Sequence, residues 1–357
     1  MTSLPDLLRR TLELNASDLH LTAGSPPQVR VDGDLQRLDL PELTPSDTKQ
    51  YAYSVLTDAQ KKRFEEALEL DFSFGLRGLA RFRCNVFSQR GAVAAVYRVI
   101  IENIRGFKEL ALPEVVATLA DRPRGLVLVT GPTGSGKTTT LNALLREVAS
   151  DRVKAVTIED PVEYRIAGVD QIQTDERIGL TFDTLLRRVL RQDPDVIVVG
   201  EIRDAPTAAL ALRAALTGHL VLSTLHTSDA VSSITRLRDL GVEPWLLAAV
   251  LRGALAQRLV RKVCPSCVRA AKPLARERAL LAAHGLAPAR LARGEGCEAC
   301  DGTGFRGRTA VVELFAADER IAETIARGGR APEVGAYLGA PGSRGWGRNA
   351  PRRAPKG

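Results

Sequence analysis

Residues 125–149 carry the strongest structural signal in the chain: GLVLVTGPTGSGKTTTLNALLREVA. A continuous apolar run comes first, then the pattern G-x-x-x-x-G-K-[ST], then residues with the spacing of a helix. Glycines let backbone N–H groups turn inward around a phosphate, and the N-terminus of the following helix adds its dipole. The order of strand, loop and helix therefore predicts a phosphate-binding loop, or P-loop.

The residues of this loop have distinct expected roles. Lys137 is expected to reach the β- and γ-phosphates of ATP, and Thr138 is expected to coordinate Mg²⁺. The other residues expected to contact the nucleotide are Gly131, Pro132, Thr133, Gly134, Ser135, Gly136 and Thr139. ATP and Mg²⁺ are thus the predicted cofactors of the loop.

Three further apolar runs follow the loop, namely KAVTIED, VIVVGE and HLVLSTL, and helical stretches separate them. Continuous apolar strands that alternate with helices predict a parallel sheet buried on both faces. The predicted fold class is therefore α/β, with this domain spanning residues 109–262.

Carboxylates follow two of the predicted strands. Glu159, Asp160 and Glu163 come at the end of one, and Glu201 at the end of another. Ligands of open α/β sheets bind at the carboxyl ends of the strands. A single carboxylate is more often a solvated loop residue, but two clusters after a P-loop favour a hydrolytic site. The second strand ends in Gly200-Glu201 instead of the usual Asp-Glu, so another acid must supply one charge.

Residues 1–100 have a different pattern. A helical start is followed by a hairpin signal at Asp32-Gly33, by two helical segments (Pro45–Val55 and Asp58–Leu68) and by three antiparallel strands. This order predicts a small α+β domain, joined to the next domain by a linker at residues 101–108.

Four cysteines form two CxxC pairs, Cys264 with Cys267 and Cys297 with Cys300, and 29 residues separate the pairs. Such pairs can close a tetrahedral thiolate site around Zn²⁺, which predicts a zinc-binding insert at residues 263–302. Two reduced or disulfide-linked pairs are the alternative. The fifth cysteine, Cys84, lies on a predicted strand and is expected to be a buried apolar residue.

Composition restricts the possible functions. The 357 residues carry a net charge of +8 and contain 4% aromatic residues, too few for the stacking surface of a nucleic-acid translocase. No run reaches the roughly 20 apolar residues of a membrane span, and the N-terminus lacks a signal peptide, so we expect a cytoplasmic protein.

Residues 303–327 are expected to be a helical segment. Residues 328–357, with six basic residues, one acidic residue, eight Gly and four Pro, are expected to be a disordered tail.

Three longer motifs carry a family resemblance: TIEDPVEY (157–164), LRQDPDVIVVGEIRD (190–204) and TGHLVLSTLHT (217–227). They resemble the secretion and pilus ATPases, the family that includes GspE, PilB and PilT. The resemblance runs from about Asn15 to Arg327. It implies a RecA-like P-loop ATPase domain, preceded by a PAS-like α+β domain and carrying a zinc-knuckle insert.

The resemblance also implies roles for individual residues. Glu163 would activate the attacking water, Glu201 would act as the Walker B acid, and His219 and His226 would sense the γ-phosphate or couple it to motion. Arg83 and Arg98 of the N-terminal domain, with Arg81 as a second choice, would reach the nucleotide. The alternative for these arginines is an ordinary solvent-facing position on a strand.

The implied function is that of a hexameric ATPase motor that drives type IV pilus assembly or retraction (twitching motility) or type II secretion. It would act on an inner-membrane platform protein from the cytoplasmic face, with peripheral membrane association only. The start of the chain resembles PilT, whereas residues 168–315 resemble GspE and PilB, so the direction of the motor stays open. A nucleotide-binding regulatory subunit without hydrolysis is the alternative, since the sequence departs from the family after residue 327.

Overall fold

The computed structural model describes residues 2–31, 33–100, 106–287 and 289–338, and the backbone of 346–348. The chain divides into two compact units, residues 1–103 and 104–357. Of the predicted linker, residues 101–105 lie outside the described residues, and Phe107 packs against the core of the second unit.

Within its described residues the N-terminal unit is α+β, as predicted. Its elements are α1 (Leu4–Glu13), β1 (Asp18–Leu21), β2 (Gln28–Val31), β3 (Asp34–Arg37), α2 (Pro45–Tyr53), α3 (Asp58–Ala67), β4 (Glu69–Leu76), β5 (Ala80–Gln89) and β6 (Ala92–Ile100). The helices begin at the capping boxes of Ser3, Thr44 and Thr57. The strands form one antiparallel sheet in the order β3-β2-β1-β6-β5-β4.

The predicted hairpin joins β2 to β3, which pair from Val31 with Asp34 to Gln28 with Arg37. Asp32 itself lies outside the described residues. The core of this unit includes Phe82, Cys84 and Tyr97, each with no exposed surface. Cys84 is therefore buried, as predicted.

The second unit contains the P-loop. Its described elements are α4 (Glu114–Ala117), β7 (Gly125–Thr130), α5 (Lys137–Val148), β8 (Ala155–Glu159), β9 (Val169–Gln173), α6 (Phe182–Val189), β10 (Val196–Val199), α7 (Ala205–Leu216), β11 (Leu220–Leu225), α8 (Ser232–Asp239), α9 (Pro244–Val250), β12 (Leu251–Val263), β13 (Val268–Ala271), α10 (Ala275–Ala283), β14 (Leu291–Gly294), β15 (Phe305–Ala316), α11 (Glu319–Ala326), α12 (Ala331–Leu338) and β16 (Trp346–Arg348). No helix among the described residues combines the length and the apolarity needed to cross a membrane.

The main sheet of this unit has the strand order β16-β15-β12-β7-β11-β10-β8-β9. The strands from β12 to β9 are parallel, whereas β15 and β16 run antiparallel to their neighbours. Consecutive residues of β7 face opposite sides of the sheet: Leu126 belongs to one buried cluster and Val127 to another, one on each face. The sheet is thus buried on both faces, as the apolar runs predicted.

The expected helical segment at residues 303–327 is wrong for its first half. Residues 305–316 form β15, which pairs with β12 from Gly253 with Ala316 to Val263 with Phe305. Val312, Leu314 and Phe315 of β15 are buried, and within residues 303–327 only Glu319–Ala326 is α-helical. The segment with the four cysteines, which contains β13, α10 and β14, therefore lies between two paired strands of the main sheet.

The expectation of disorder from residue 328 is wrong for residues 331–338, which form α12. Val334 and Leu338, four residues apart and so on one face of this helix, are 0% and 2% exposed in the main core. Arg238 of α8 donates to the carbonyl oxygens of Gly328 (2.9 Å) and Gly329 (3.2 Å) and so holds the turn before α12. The rest of the predicted tail lies outside the described residues, apart from β16.

Substitution tests whether α12 belongs to the core. Val334→Asp should lower the free energy of unfolding by roughly 3 kcal/mol or more, because it places an unpaired carboxylate in an apolar cluster. Chemical denaturation would measure the change. Ala336→Asp, on the exposed side of the same helix, is the matched control and should shift stability by about 0.5 kcal/mol or less. Equal stability of the two variants would contradict the packing of α12.

Candidate nucleotide site and metal centre

The register of the parallel strands brings four chain segments to one edge of the sheet. Thr130, the last residue of β7, lies opposite Leu225 of β11. Val199 at the end of β10 lies opposite Ser223 of β11 and Ile158 of β8. The residues that follow these strands therefore emerge side by side. They include the P-loop, Asp160, Glu201 and His226.

Directly after β7, the backbone of the P-loop adopts conformations that favour glycine. Gly131, Gly134 and Gly136 have φ values of 139°, 77° and 89°, and α5 begins at the next residue, Lys137. The Lys137 ammonium folds back over the loop and donates to the carbonyl oxygens of Gly131 (3.0 Å) and Pro132 (3.2 Å). Burial lowers the pKa of Lys137, and the nearby Glu201 carboxylate opposes that shift.

Glu201 lies at the centre of the charged groups at this edge. Its carboxylate forms an ion pair with Arg203, and its Oε2 atom is 3.6 Å from Nε2 of His226. The hydrogen bond to Glu201 raises the pKa of Arg203, with added Coulombic stabilisation from Asp160 and Glu176. The structure thus brings Lys137, Glu201 and His226 to the same edge of the sheet.

The other predicted carboxylates follow β8. Glu159 is buried, and its Oε1 atom accepts hydrogen bonds from Thr157 (2.6 Å) and from Gln171 (3.0 Å). Asp160 is exposed at the end of the strand, and Glu163 is half-buried in the loop between β8 and β9. This edge therefore offers two acids close to the strand end besides Glu201, which fits the need for a second charge.

His219 lies at the opposite edge of the sheet. It precedes β11, and its backbone carbonyl accepts from Gly125, the first residue of β7. At about 3.3 Å per residue, the six positions to Leu225 place it roughly 20 Å from the P-loop. Its Nδ1 atom is 2.9 Å from the carbonyl oxygen of Ala214. The side chain of His219 is therefore remote from the P-loop of its own chain, and its contact with a nucleotide stays a prediction.

The two predicted arginines of the N-terminal unit are neighbours. Arg83 of β5 and Arg98 of β6 lie directly opposite each other in the antiparallel ladder. Arg98 donates to Asp18 at 2.8 Å, whereas Arg83 lies 3.9 Å from Asp71. Both arginines alternate with buried residues of their strands, Arg83 with Phe82 and Cys84 and Arg98 with Tyr97, so the solvent-facing alternative stays open. Arg81 donates to Ser73 at 2.7 Å.

The four predicted zinc ligands converge. Their sulfur atoms all lie within 4.8 Å of one another, and three of the cysteines are buried. The Sγ atoms of Cys264 and Cys297 are 4.0 Å apart, and those of Cys267 and Cys300 are 3.8 Å apart. A tetrahedral Zn²⁺ with Zn–S bonds of about 2.3 Å requires sulfur atoms about 3.8 Å apart. The cluster can therefore hold zinc, and all four thiols are free of disulfides.

Backbone amides prepare one of these sulfurs for a thiolate. The N–H groups of Cys297 and Gly304 each lie 3.2 Å from Sγ of Cys300. Desolvation raises the pKa of Cys300, but these N–H groups, together with the thiols of Cys297 and Cys267, lower it to about 6. The turn needs glycine, because a Cβ atom on Gly294 would lie 2.0 Å from the carbonyl oxygen of Gly304.

Two residues at the nucleotide site were not predicted from the sequence. Arg203 follows Glu201 by two residues in a motif already noted, so its proximity could have been inferred. Gln257 lies on β12 and contacts the P-loop, 122 residues from its partner Ser135. Its one sequence signal is an amide that follows an apolar run, in ALAQ (254–257).

His219 and Lys137 should differ in their contributions to nucleotide binding. His219→Ala should leave the affinity for ADP within about twofold of the parent chain, because the side chain is at the far edge of the sheet. Lys137→Ala, which removes a cation from the phosphate loop, should weaken it by roughly tenfold or more. Titration with a fluorescent ADP analogue would measure the affinity of both variants. A tenfold loss of affinity in His219→Ala would contradict the position of His219 at the far edge of the sheet.

Comparison with known proteins gives the family. The model of the type II/IV secretion system protein family matches residues 4–338. Type II secretion system protein E of Aeromonas hydrophila is 40% identical over 330 residues, which are 89% of this chain and 66% of that protein. The type IV pilus retraction ATPase PilT of Pseudomonas aeruginosa is 44% identical over 271 residues, or 73% of this chain and 78% of PilT.

A solved structure agrees with these relatives. The pilus retraction motor PilT with bound ADP has a TM-score of 0.74 and 38% identity, covering 92% of this chain and 87% of PilT. This likeness confirms the predicted RecA-like α/β fold, whereas the PAS-like character of the first unit stays a prediction. The chain spans just under two thirds of the length of the type II secretion relative. With the family model matched along nearly its whole described length, the chain belongs to the type II/IV secretion system protein family.

Proposed function

We propose that this chain binds and hydrolyses ATP with Mg²⁺ and works as the motor subunit of a pilus or secretion machine. The observation that carries the proposal is the meeting of Lys137, Glu201 and His226 beside a P-loop at one edge of a parallel sheet. Relatives named as type IV pilus retraction and assembly ATPases support the reaction and its use.

Each group at the site has a proposed role. Lys137 and the backbone N–H groups of the loop bind the phosphates. Thr138 and Glu201 would hold Mg²⁺, which would offset negative charge on the phosphate oxygens. Glu163 accepts a proton from the attacking water. His226, at 3.6 Å from Glu201, responds to changes at that carboxylate.

Arg203 provides the counter-charge for Glu201 in the structure. Asp160 or Glu159 supplies the acid that is missing from the usual Walker B position. The exposed position of Asp160 makes it the more accessible of the two.

The paired arginines Arg83 and Arg98 are proposed to stabilise charge on the phosphoryl group during transfer. A guanidinium fork suits the oxygen atoms of such a group. We propose that the chain forms a homo-hexamer in which these arginines contact the nucleotide. We also propose that the hexamer binds an inner-membrane platform protein at the cytoplasmic face of the membrane. The hexamer and the platform partner rest on resemblance to the family.

We further propose that the cysteine cluster holds a structural Zn²⁺. Four thiolates leave no open position, so zinc there would stabilise the insert without taking part in hydrolysis. The spacing of the sulfur atoms and the N–H groups aimed at Cys300 support this assignment.

ATP turnover tests the motor reaction. Lys137→Ala should abolish Mg²⁺-dependent hydrolysis, and Glu163→Gln should lower it by roughly 10²-fold or more while ATP binding persists, because the general base is lost. Glu147→Gln, an exposed change near the end of α5, is the matched control and should leave the rate unchanged. Phosphate release and oligomer mass would be measured on the same samples. ATP binding without turnover in the parent chain would instead favour the nucleotide-binding regulatory subunit.

Metal analysis tests the cysteine cluster. The purified chain should contain about one zinc per chain, and Cys300→Ser should lose it together with part of the thermal stability of the insert. Cys84→Ala, in the N-terminal unit, should keep the full zinc content. Equal zinc in both variants, or none in the parent chain, would contradict the zinc assignment.

A further inference from the structure

We infer that Gln257 is a positioning residue that holds the phosphate loop in its nucleotide-binding shape. This inference deepens the proposed function, since it concerns the same loop and rests on nucleotide binding there. Gln257 lies in β12, the strand directly beside β7, and is 2% exposed. Neither the P-loop motif nor the acids at the strand ends explain why the amide side chain of Gln257 is buried here.

The side chain of Gln257 is bonded at both of its polar ends. Its Nε2 atom donates to the backbone carbonyl of Ser135 at 2.6 Å, and its Oε1 atom accepts from the hydroxyl of Thr140 at 2.8 Å. Ser135 belongs to the loop, and Thr140 belongs to the first turn of α5. One amide therefore joins the loop and the helix that follows it to the neighbouring strand.

The hydrogen bond to Ser135 fixes the direction of a peptide group. In a trans peptide the C=O of one residue and the N–H of the next point in opposite directions. Because Gln257 holds the carbonyl of Ser135 on the side of β12, the N–H of Gly136 points to the other side. P-loops bind phosphates through such inward N–H groups, so Gln257 sets a donor that the nucleotide uses.

The glycines of the loop are matched to this contact. A Cβ atom on Gly136 would lie 2.9 Å from Nε2 of Gln257, and one on Gly131 would lie 2.5 Å from the Gln257 backbone carbonyl. Both ends of the loop thus pack directly against the same residue. At Gly131 the close atom is backbone, so glycine is required there independently of its positive φ value, whereas a side chain at Gly136 would displace the amide of Gln257.

Binding of ADP by purified variants tests the role of Gln257, with a fluorescent ADP analogue as the probe. Gln257→Met keeps the length of the side chain but removes both hydrogen bonds, and Gln257→Glu keeps the acceptor for Thr140 but removes the donor to Ser135. Each should weaken ADP binding by roughly tenfold or more, because the Ser135 carbonyl loses its partner and the peptide is free to rotate. Thr140→Val is the matched control. It removes the other bond of Gln257 and should stay within about threefold of the parent chain.

The affinity for ADP is measured at a temperature well below the unfolding midpoint of every variant, so that a loss of stability alone does not change the measured affinity. ADP binding by both Gln257 variants within threefold of the parent, or an equal loss in Thr140→Val, would overturn the inference. If Gln257→Met does not fold, Gln257→Glu decides. A parent chain that binds ADP but does not hydrolyse ATP would refute the proposed motor reaction and leave the Gln257 result valid, whereas a parent chain that does not bind ADP would refute both.

Discussion

The parallel hydrogen-bonded ladder of β7, β11, β10 and β8 is the constraint on which the rest of the second unit depends. Parallel strands end at the same edge, so the residues that follow them meet although they are far apart in sequence. The loop after β7 supplies backbone donors and Lys137. The ends of β8, β10 and β11 supply acids and a histidine.

The same geometry explains what is excluded from the site. A residue that precedes a strand lies at the other edge, which is why His219 and His226, seven positions apart, have different surroundings. His226 approaches Glu201, whereas His219 closes the turn after α7 through Ala214. The sheet thus separates two histidines that a motif alone presents as a pair.

Strand β12 runs from the nucleotide site to the cysteine cluster. Gln257 lies beside the P-loop, and Cys264 follows the end of the same strand. Its antiparallel partner β15 returns from the cluster to the core, and the amide of Cys264 donates to the carbonyl of Gly304 at 2.9 Å. The insert is therefore closed at its base by backbone pairing as well as by its cysteines.

Features coded by short, local patterns could be predicted from the sequence. The P-loop, the acids at the strand ends, the two CxxC pairs and the α+β order of the first unit depend on neighbours in the chain. Gln257 could not be predicted in the same way, because its role depends on a partner that only the sheet brings near. The segments at 305–316 and 331–338 were misjudged because their structure depends on tertiary partners. Strand β15 follows the register of β12, and α12 is stabilised by burial of Val334 and by Arg238, which outweigh a composition rich in glycine and proline.

An experimental structure of the chain with Mg²⁺ and ADP would test whether the loop after β7 binds the nucleotide. We expect the β-phosphate within hydrogen-bond distance of the backbone N–H groups of residues 134–138, with Mg²⁺ at the Thr138 hydroxyl and Glu201 facing it. A nucleotide bound elsewhere would contradict the proposed site. So would a β-phosphate in the loop with the carbonyl of Ser135, instead of the N–H of Gly136, turned toward it.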